Sequence, residues 1–321
     1  MDAGERDLFA RGVRRAAGAH TGAALDSALA QLGWPEALAG DPRTAVSVLF
    51  ELQGATNTTS SSVNHVLLGP LGIDGGVVLP ALDRWGPPGV LDGRRLSVCG
   101  LGTAVLARLP TTVVVARSAA SGDVAGRPIT LTVPTAALTL RPVGAVDPAL
   151  GLLEVSVEDW SIEGAPTPAP EWPAAVARAQ LAIGHELVGA ARSMLDLARD
   201  HARHRVQFGR PIAQFQALRH RLAESLVAIE TAAALLEEAW REDSPPASAM
   251  AKAVSGRTAR TVAGHCQQIL AGIGFTTEHP FHRYFRRALV LDQLFGSSRR
   301  LTRELGNEVL ASRQLPPVLP L

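Results

Sequence analysis

Arg199 to Gln216 reads RDHARHRVQFGRPIAQFQ, and the fold turns on how this stretch is read. One long amphipathic pattern ends in it and another begins after it. Between them stand a cluster of cations, an aromatic, a Gly and a Pro. Arg199, Arg203, Arg205 and Arg210 crowd the end of the first pattern, where cations complement the helix macrodipole. The same residues also suit an anion. The planar fork of Arg205 matches a phosphate, and Phe208 can cover an apolar part of the same ligand. Taken alone, the stretch leaves both readings open.

Working outward, Val176 to His204 carries an apolar stripe at helical spacing, with Leu181, Leu187, Val188, Ala191, Leu195 and Ala198 on one face. Gln214 to Arg241 predicts a second long helix, and Ser248 to Leu270 an Ala-rich third. Phe281 to Phe295 and Ser298 to Leu310 supply two more. Long helices joined by short loops predict an antiparallel bundle over residues 166–321, ending in a Pro-rich RQLPPVLPL tail. Upstream, residues 88–165 change texture: Pro and Gly recur every few residues, with β-branched runs between them. Thr111–Val115, Ile129–Val133 and Leu153–Val157 are strand candidates of a small antiparallel β unit. Gly122-Asp123 and Gly126-Arg127-Pro128 mark turns, and the lone Gly100-Leu101-Gly102 is read as a turn also. Residues 1–87 are expected to be a shortened helical part, with Ala24–Leu32 and Arg43–Leu52 at helical spacing. Asn57–Asn64 is a polar stretch read as a loop or helix start. The fold class expected is mainly α with a small β domain.

The totals narrow the function. The chain has 321 residues, 46% hydrophobic, with formal net charge +1 and 4% aromatic content. Near-zero charge and few aromatics leave little for backbone attraction or base stacking, which argues against nucleic acid. Lys252 is the sole lysine among 31 basic residues, a skew that fits a GC-rich genome. Cys99 and Cys266 are the two cysteines; they make neither a zinc site nor a disulfide framework, so no metal is expected. The start MDAGERDLFARGVRR has acids and no apolar core, and no apolar run approaches the ~18–20 residues that span a bilayer. A cytoplasmic protein without a membrane segment is the expectation.

RVQFGRPIAQFQ, followed some fifty residues later by QQILAGIGFTTEHPFHRYFRRA, resembles the C-terminal bundle of the flavin-dependent acyl-CoA dehydrogenases. That family's pattern is R-x-x-F-G-x-x-x-x-x-x-Q, then Q-x-x-G-G-x-G-[FY]-x-x-E and a basic helix. Both blocks stand here in order, with Ala271 in place of the first Gly of the second. The likeness covers about residues 172–290, and the order helices, β unit, bundle matches the family's three-part architecture. It implies FAD as cofactor. Arg205 would hold its pyrophosphate, Phe208 would pack on the adenosine end, and Gln216 would sit near the same flavin. Gln268 and Gly272 would approach the adenine and pyrophosphate, and in that family these contacts reach the FAD of a neighbouring subunit. A guanidinium suits a diphosphate, and glycine permits close backbone approach.

The departures from the family pattern matter as much. The usual base, a Glu in a Y-E-G-T segment, falls here on Phe295 in Leu294-Phe295-Gly296-Ser297. The alternative base position on the first bundle helix is Ala179. Neither side chain removes an α-proton. Glu186 and Asp292 are nearby acids, read as surface or ion-paired helix residues, with Glu186 the weak candidate for a base. Glu278-His279 is read as a cap before a helix. The T-E-P-x-x-G-S-D and W-I-T flavin-ring segments are missing, with Ala116–Ala125 only an echo of the first. This pattern resembles the small, non-catalytic subunit of the α2β2 acyl-CoA dehydrogenases of actinobacterial steroid catabolism. A homologous catalytic chain would then supply the base, acting on an acyl-CoA, with an electron-transfer flavoprotein as possible acceptor. The alternatives are a homomeric dehydrogenase using an unrecognised base and a flavin-free structural pseudoenzyme.

Overall fold

The computed structural model describes residues 3–119, 126–144 and 146–313. Five helices open the chain: α1 (Ala3–Ala19), α2 (Ala23–Gln31), α3 (Trp34–Gly40), α4 (Pro42–Thr56) and α5 (Val63–Leu68). Asp41 starts α4 by accepting the Thr44 N–H at 3.1 Å, with Pro42 at the first helical position, where its missing N–H costs nothing. Asn57 closes the helix in the left-handed conformation, and the polar stretch after it is loop as far as Val63.

The sheet follows as β1 (Leu79–Pro80), β2 (Gly89–Asp92), β3 (Arg95–Gly102), β4 (Thr111–Ser118), β5 (Pro128–Pro134), β6 (Thr139–Pro142), β7 (Leu153–Ser161) and β8 (Thr167–Pro168). Its order is β6-β7-β3-β2-β4-β5-β8, with β1 beside β3. Two expectations are corrected here. The sheet is not wholly antiparallel: β2 and β4 run parallel, because a 3₁₀ turn at Ala104–Arg108 carries the chain from β3 to the far side of β2. Gly100-Leu101-Gly102 is not a turn but the end of β3. A Cβ on Gly100 would lie 2.4 Å from the Leu79 carbonyl oxygen, so glycine is what lets β1 close on β3. The Gly122-Asp123 turn and most of the Ala116–Ala125 echo lie outside the described residues. In β4, alternate side chains serve two cores: Val113 and Val115 face the helices, while Val114 and Ala116 join Leu96, Val98, Leu131 and Val155 inside the sheet.

The bundle comprises α6 (Trp172–His204), a short hairpin of β9 (Val206–Gln207) and β10 (Arg210–Pro211), then α7 (Gln216–Glu242), α8 (Pro245–Leu270), α9 (Phe281–Gln293) and α10 (Ser298–Ser312). From Ala179 to Ala191 every residue of α6 is buried, so this helix is the axle of the molecule and not a one-faced surface helix. Its closest neighbour across the three parts is α4. A Cβ on Gly189 would lie 2.1 Å from the Glu51 carbonyl oxygen, and one on Gly54 would lie 2.0 Å from that of Glu186. The two helices therefore cross backbone to backbone through a reciprocal pair of glycines.

Gly189→Ala is expected to lower unfolding free energy by about 1–3 kcal/mol, the usual range for overpacking. Gly264→Ala, on an exposed stretch of α8 where a Cβ meets nothing within 4 Å, is expected to raise it by about 0.5–1 kcal/mol through helix propensity. Urea unfolding of the two variants checks the opposite signs.

Candidate functional site

Because α6, α7 and α8 alternate in direction, the end of α6, the start of α7, the end of α8 and the approach to α9 share one end of the bundle. The expected ligand-binding residues all lie on these four segments. Arg205 follows the last turn of α6, and its carbonyl accepts the Ile212 N–H at 2.8 Å. Phe208 and Gly209 form the two-residue turn of the β9–β10 hairpin, both at positive φ (52° and 76°), which is the type I′ geometry. A phenylalanine there is unusual, since only glycine enters this region without strain. The residue is 89% exposed, its ring edge-on to Phe215 at 6.0 Å, and Arg210 lies over the Phe215 ring at 4.4 Å. Gln216, Gln268 and Gly272 are exposed. A Cβ on Gly272 would meet nothing within 4 Å, so the backbone there is open to approach. The turn of α8 that precedes it is closed by Ala271 at φ 53°, and Phe275 beyond it is 75% exposed. Arg205 makes no ion pair among the described residues. A free guanidinium, an exposed aromatic face and an open glycine fit the anionic and aromatic parts of a dinucleotide such as FAD.

The other candidate region is the reverse: closed. Phe295 is 1% exposed at φ 55°, in the loop between α9 and α10. That loop is held at several of its polar backbone groups. Gln180 Nε2 donates to the Phe295 carbonyl at 3.0 Å, and Lys252 Nζ donates to the carbonyls of Gly296 (3.2 Å) and Asp292 (3.1 Å). Asp83 accepts from the Ser297 N–H and Asp292 from the Ser298 N–H, each at 3.0 Å. Such over-determination is what sustains an aromatic residue in the left-handed region. Lys252 is fully buried, and burial lowers its pKa to about 8 against the pull of Asp292 and Asp83. Asp292, read as a surface or ion-paired residue, is 1% exposed; it caps α10 and lies 3.6 Å from Arg260.

Glu186 is likewise buried, at 3% exposure, and lies at a junction of all three parts of the chain. Arg287 of α9, itself fully buried, donates from Nε to Asp147 between β6 and β7 at 2.5 Å. Its two terminal nitrogens reach the Thr58 carbonyl (2.9 Å), Glu186 (3.4 Å) and the Thr59 hydroxyl (3.1 Å). One guanidinium thus faces two buried carboxylates, and a second uncompensated charge is costly in this setting. Asp147 has the short contact. Burial pushes the Glu186 carboxyl up to about 7, against the opposing pull of Arg287. The Gln53 side chain also bonds Glu186, and in turn accepts from the Ser60 hydroxyl. The space beside this cluster, lined by Phe50, Gln53, Ser60, Ile183, Glu186 and Leu294 among others, measures about 30 Å³. That is room for a water or two, against roughly 300–1,000 Å³ for a ligand pocket. Ala179 is wholly enclosed in the core.

The sequence reading missed Arg287, Lys252 and Gln180, whose partners lie 40 to 229 residues away in the chain. No local pattern signals such contacts. The one available cue was a charge inside an otherwise apolar helical stripe. Glu278-His279 sits as expected before α9: His279 Nδ1 accepts the Phe281 N–H at 3.3 Å.

Residues 173–310 match the acyl-CoA dehydrogenase C-terminal domain. The chain is 36% identical over 172 residues to acyl-CoA dehydrogenase IpdE2 of Mycobacterium tuberculosis, 54% of this chain and 52% of that protein. It thus spans about half the length of this curated relative. Among solved structures, a Tcur3481–Tcur3483 steroid ACAD superposes with TM-score 0.78 at 20% identity, covering 97% of this chain and 99% of that one. The ChsE4–ChsE5 complex from Mycobacterium tuberculosis superposes with TM-score 0.76 at 20% identity, covering 98% and 96%. At that identity the likeness is one of fold: the chain has the acyl-CoA dehydrogenase fold.

The junction has a pH signature. Glu186 is protonated in the folded chain up to about pH 7 and ionised in the unfolded chain above about 4.5, so the native state binds the extra proton. Stability therefore falls as pH rises between these values. Glu186→Gln is expected to remove that slope and to leave the protein more stable than the parent at pH 8. Denaturant midpoints measured from pH 5 to pH 8 test this; an unchanged slope in the variant refutes it.

Proposed function

We propose, from the match of residues 173–310 to the acyl-CoA dehydrogenase C-terminal domain, that this chain is the non-catalytic subunit of a heteromeric, FAD-dependent acyl-CoA dehydrogenase. The observation that carries this reading is the burial of Phe295, the residue the resemblance puts at the family's base position, together with the space of only about 30 Å³ beside Glu186. A homologous partner supplies the base that removes the α-proton of the acyl-CoA. FAD, when bound, would supply the acceptor for the β-hydride, giving a 2,3-enoyl-CoA.

This chain's own residues act at the other end. Arg205 would clamp the diphosphate of the partner-held cofactor, with Phe208 against the adenosine portion. Gln216, Gln268 and the open backbone at Gly272 would complete the contact. The exposed Phe208 and Phe275 would be covered on assembly, consistent with the aromatic anchors of protein interfaces. The IpdE2 likeness and the steroid ACAD and ChsE4–ChsE5 folds support a steroid-derived CoA ester as substrate and a two-chain assembly. A second reading, a lone enzyme using Glu186, is favoured by the raised pKa of that carboxyl but opposed by its enclosure and its bond to Arg287.

Purified alone, the chain is expected to be colourless and inactive; co-purified with a dehydrogenase chain encoded beside it, it is expected to carry flavin. A flavin-loaded lone chain with full turnover would overturn the reading. In the complex, Arg205→Ala is expected to weaken FAD binding by about 1.5–3 kcal/mol, roughly ten- to a hundredfold, as for a lost charged hydrogen bond. Equilibrium dialysis of FAD reads this directly, and unchanged binding would favour a purely structural subunit.

A further inference from the structure

Three histidines converge on the Arg205 end of the bundle. His201 lies one turn before Arg205 on α6, and its carbonyl accepts the Arg205 N–H at 2.9 Å. His279 approaches from the segment before α9, with His282 one turn further along. All three are partly buried. The hydrogen bonds fix two of the rings. His282 Nδ1 lies 2.8 Å from the His279 carbonyl, so it carries the proton; His279 Nδ1 accepts from the Phe281 N–H, so its proton is on Nε2. His279 is therefore already a hydrogen-bond donor while neutral, and protonating its Nδ1 would set two N–H groups against each other. His201 differs. Its ring makes no hydrogen bond among the described residues. Both its nitrogens are free to respond to a ligand.

The electrostatics of the cluster are one-sided. Burial, then His279, then Arg205, hold the His201 pKa below its ordinary value, and burial, then His282, do the same for His279. The nearest acids in the chain do not offset this: Asp200 pairs with Arg199 at 3.5 Å, and Glu278 is exposed. His204 is tied to the Asp200 carbonyl at 2.8 Å, and Arg210 lies over Phe215. Imidazoles within electrostatic reach of a guanidinium and without a carboxylate are destabilising when charged, unless an anion arrives among them.

We propose that His201 and His279 are further ligand-binding residues at the Arg205 end, and that a diphosphate bound there draws a proton onto His201. The inference rests on the reading of Arg205 as a diphosphate clamp. His279 donates its Nε2 proton without titrating. His201 binds a proton from solvent, becomes an imidazolium, and adds a second full positive charge opposite the dianion. The diphosphate of FAD is a diester and does not itself titrate near neutral pH, so the proton taken up belongs to the protein.

The test is titration of FAD into the flavin-stripped complex of this chain with its catalytic partner, from pH 6 to pH 8. Calorimetry in two buffers of different ionisation enthalpy counts the protons. Affinity is expected to rise as pH falls, by at most tenfold per pH unit for a single proton, with uptake of a fraction of a proton per site near pH 7.5. His201→Gln is expected to abolish the uptake and flatten the profile. His201→Arg, with a permanent charge, is expected to keep high affinity at pH 8 with no uptake, a rescue that a merely structural role would not give. A pH-independent affinity, or uptake that survives in His201→Gln, overturns the inference while leaving the clamp intact if Arg205→Ala still weakens binding. If Arg205→Ala leaves binding unchanged, the clamp itself fails, and the inference with it.

Discussion

The rest of the structure depends on one buried guanidinium. Arg287 leaves α9 with no solvent contact and finds its partners on three other parts of the chain: Asp147 between strands, Thr58 and Thr59 after α4, and Glu186 on α6. A buried cation is tolerated only when its donors are met, and removing one partner strands the others. The arrangement therefore fixes the sheet, the first helices and the bundle in a single relative placement. The loop carrying Phe295 follows directly from α9, so its position is set by the same anchor. Gln180, Lys252, Asp83 and Asp292 then lock its backbone.

The outcome is a closed space beside Glu186 and an open bundle end. Beside Glu186, aliphatic side chains and a hydrogen-bonded polar cluster leave a space of only about 30 Å³. At the far end of α6, by contrast, a strained aromatic turn, unpaired cations and an unobstructed glycine remain exposed. Filling a pocket with well-packed residues is favourable by the ordinary terms of burial. Leaving Phe208 in water at positive φ is not. Stability explains the first feature and cannot explain the second, which is why functional weight falls on the bundle end.

Much of this was legible in the sequence. The helices of the bundle follow from 3.6-residue periodicity, and their boundaries differ from the expected ones mainly at α6, which starts four residues before Val176 because Pro173 suits a first turn. The two family blocks placed Arg205 and Gln268 at one end through antiparallel succession alone. What stayed hidden is non-local. Glu186 carries the charge of a surface residue, and Arg287, 101 residues later, together with Gln53 accounts for its burial. Gly54 and Gly189 look like ordinary helix-weakening glycines until α4 and α6 are brought together. The β2–β4 parallel pair depends on a crossover that short strand patterns do not encode.

Lys252 has a practical corollary. It is the sole ε-amine in 321 residues, and the fold encloses it completely between α8 and the Phe295 loop. Enzymes and reagents that modify lysine side chains have nothing to grip on the native chain. In a mixture with a lysine-bearing partner, every side-chain amine label would report on the partner. Labelling of Lys252 itself would register that the Phe295 loop had come undone.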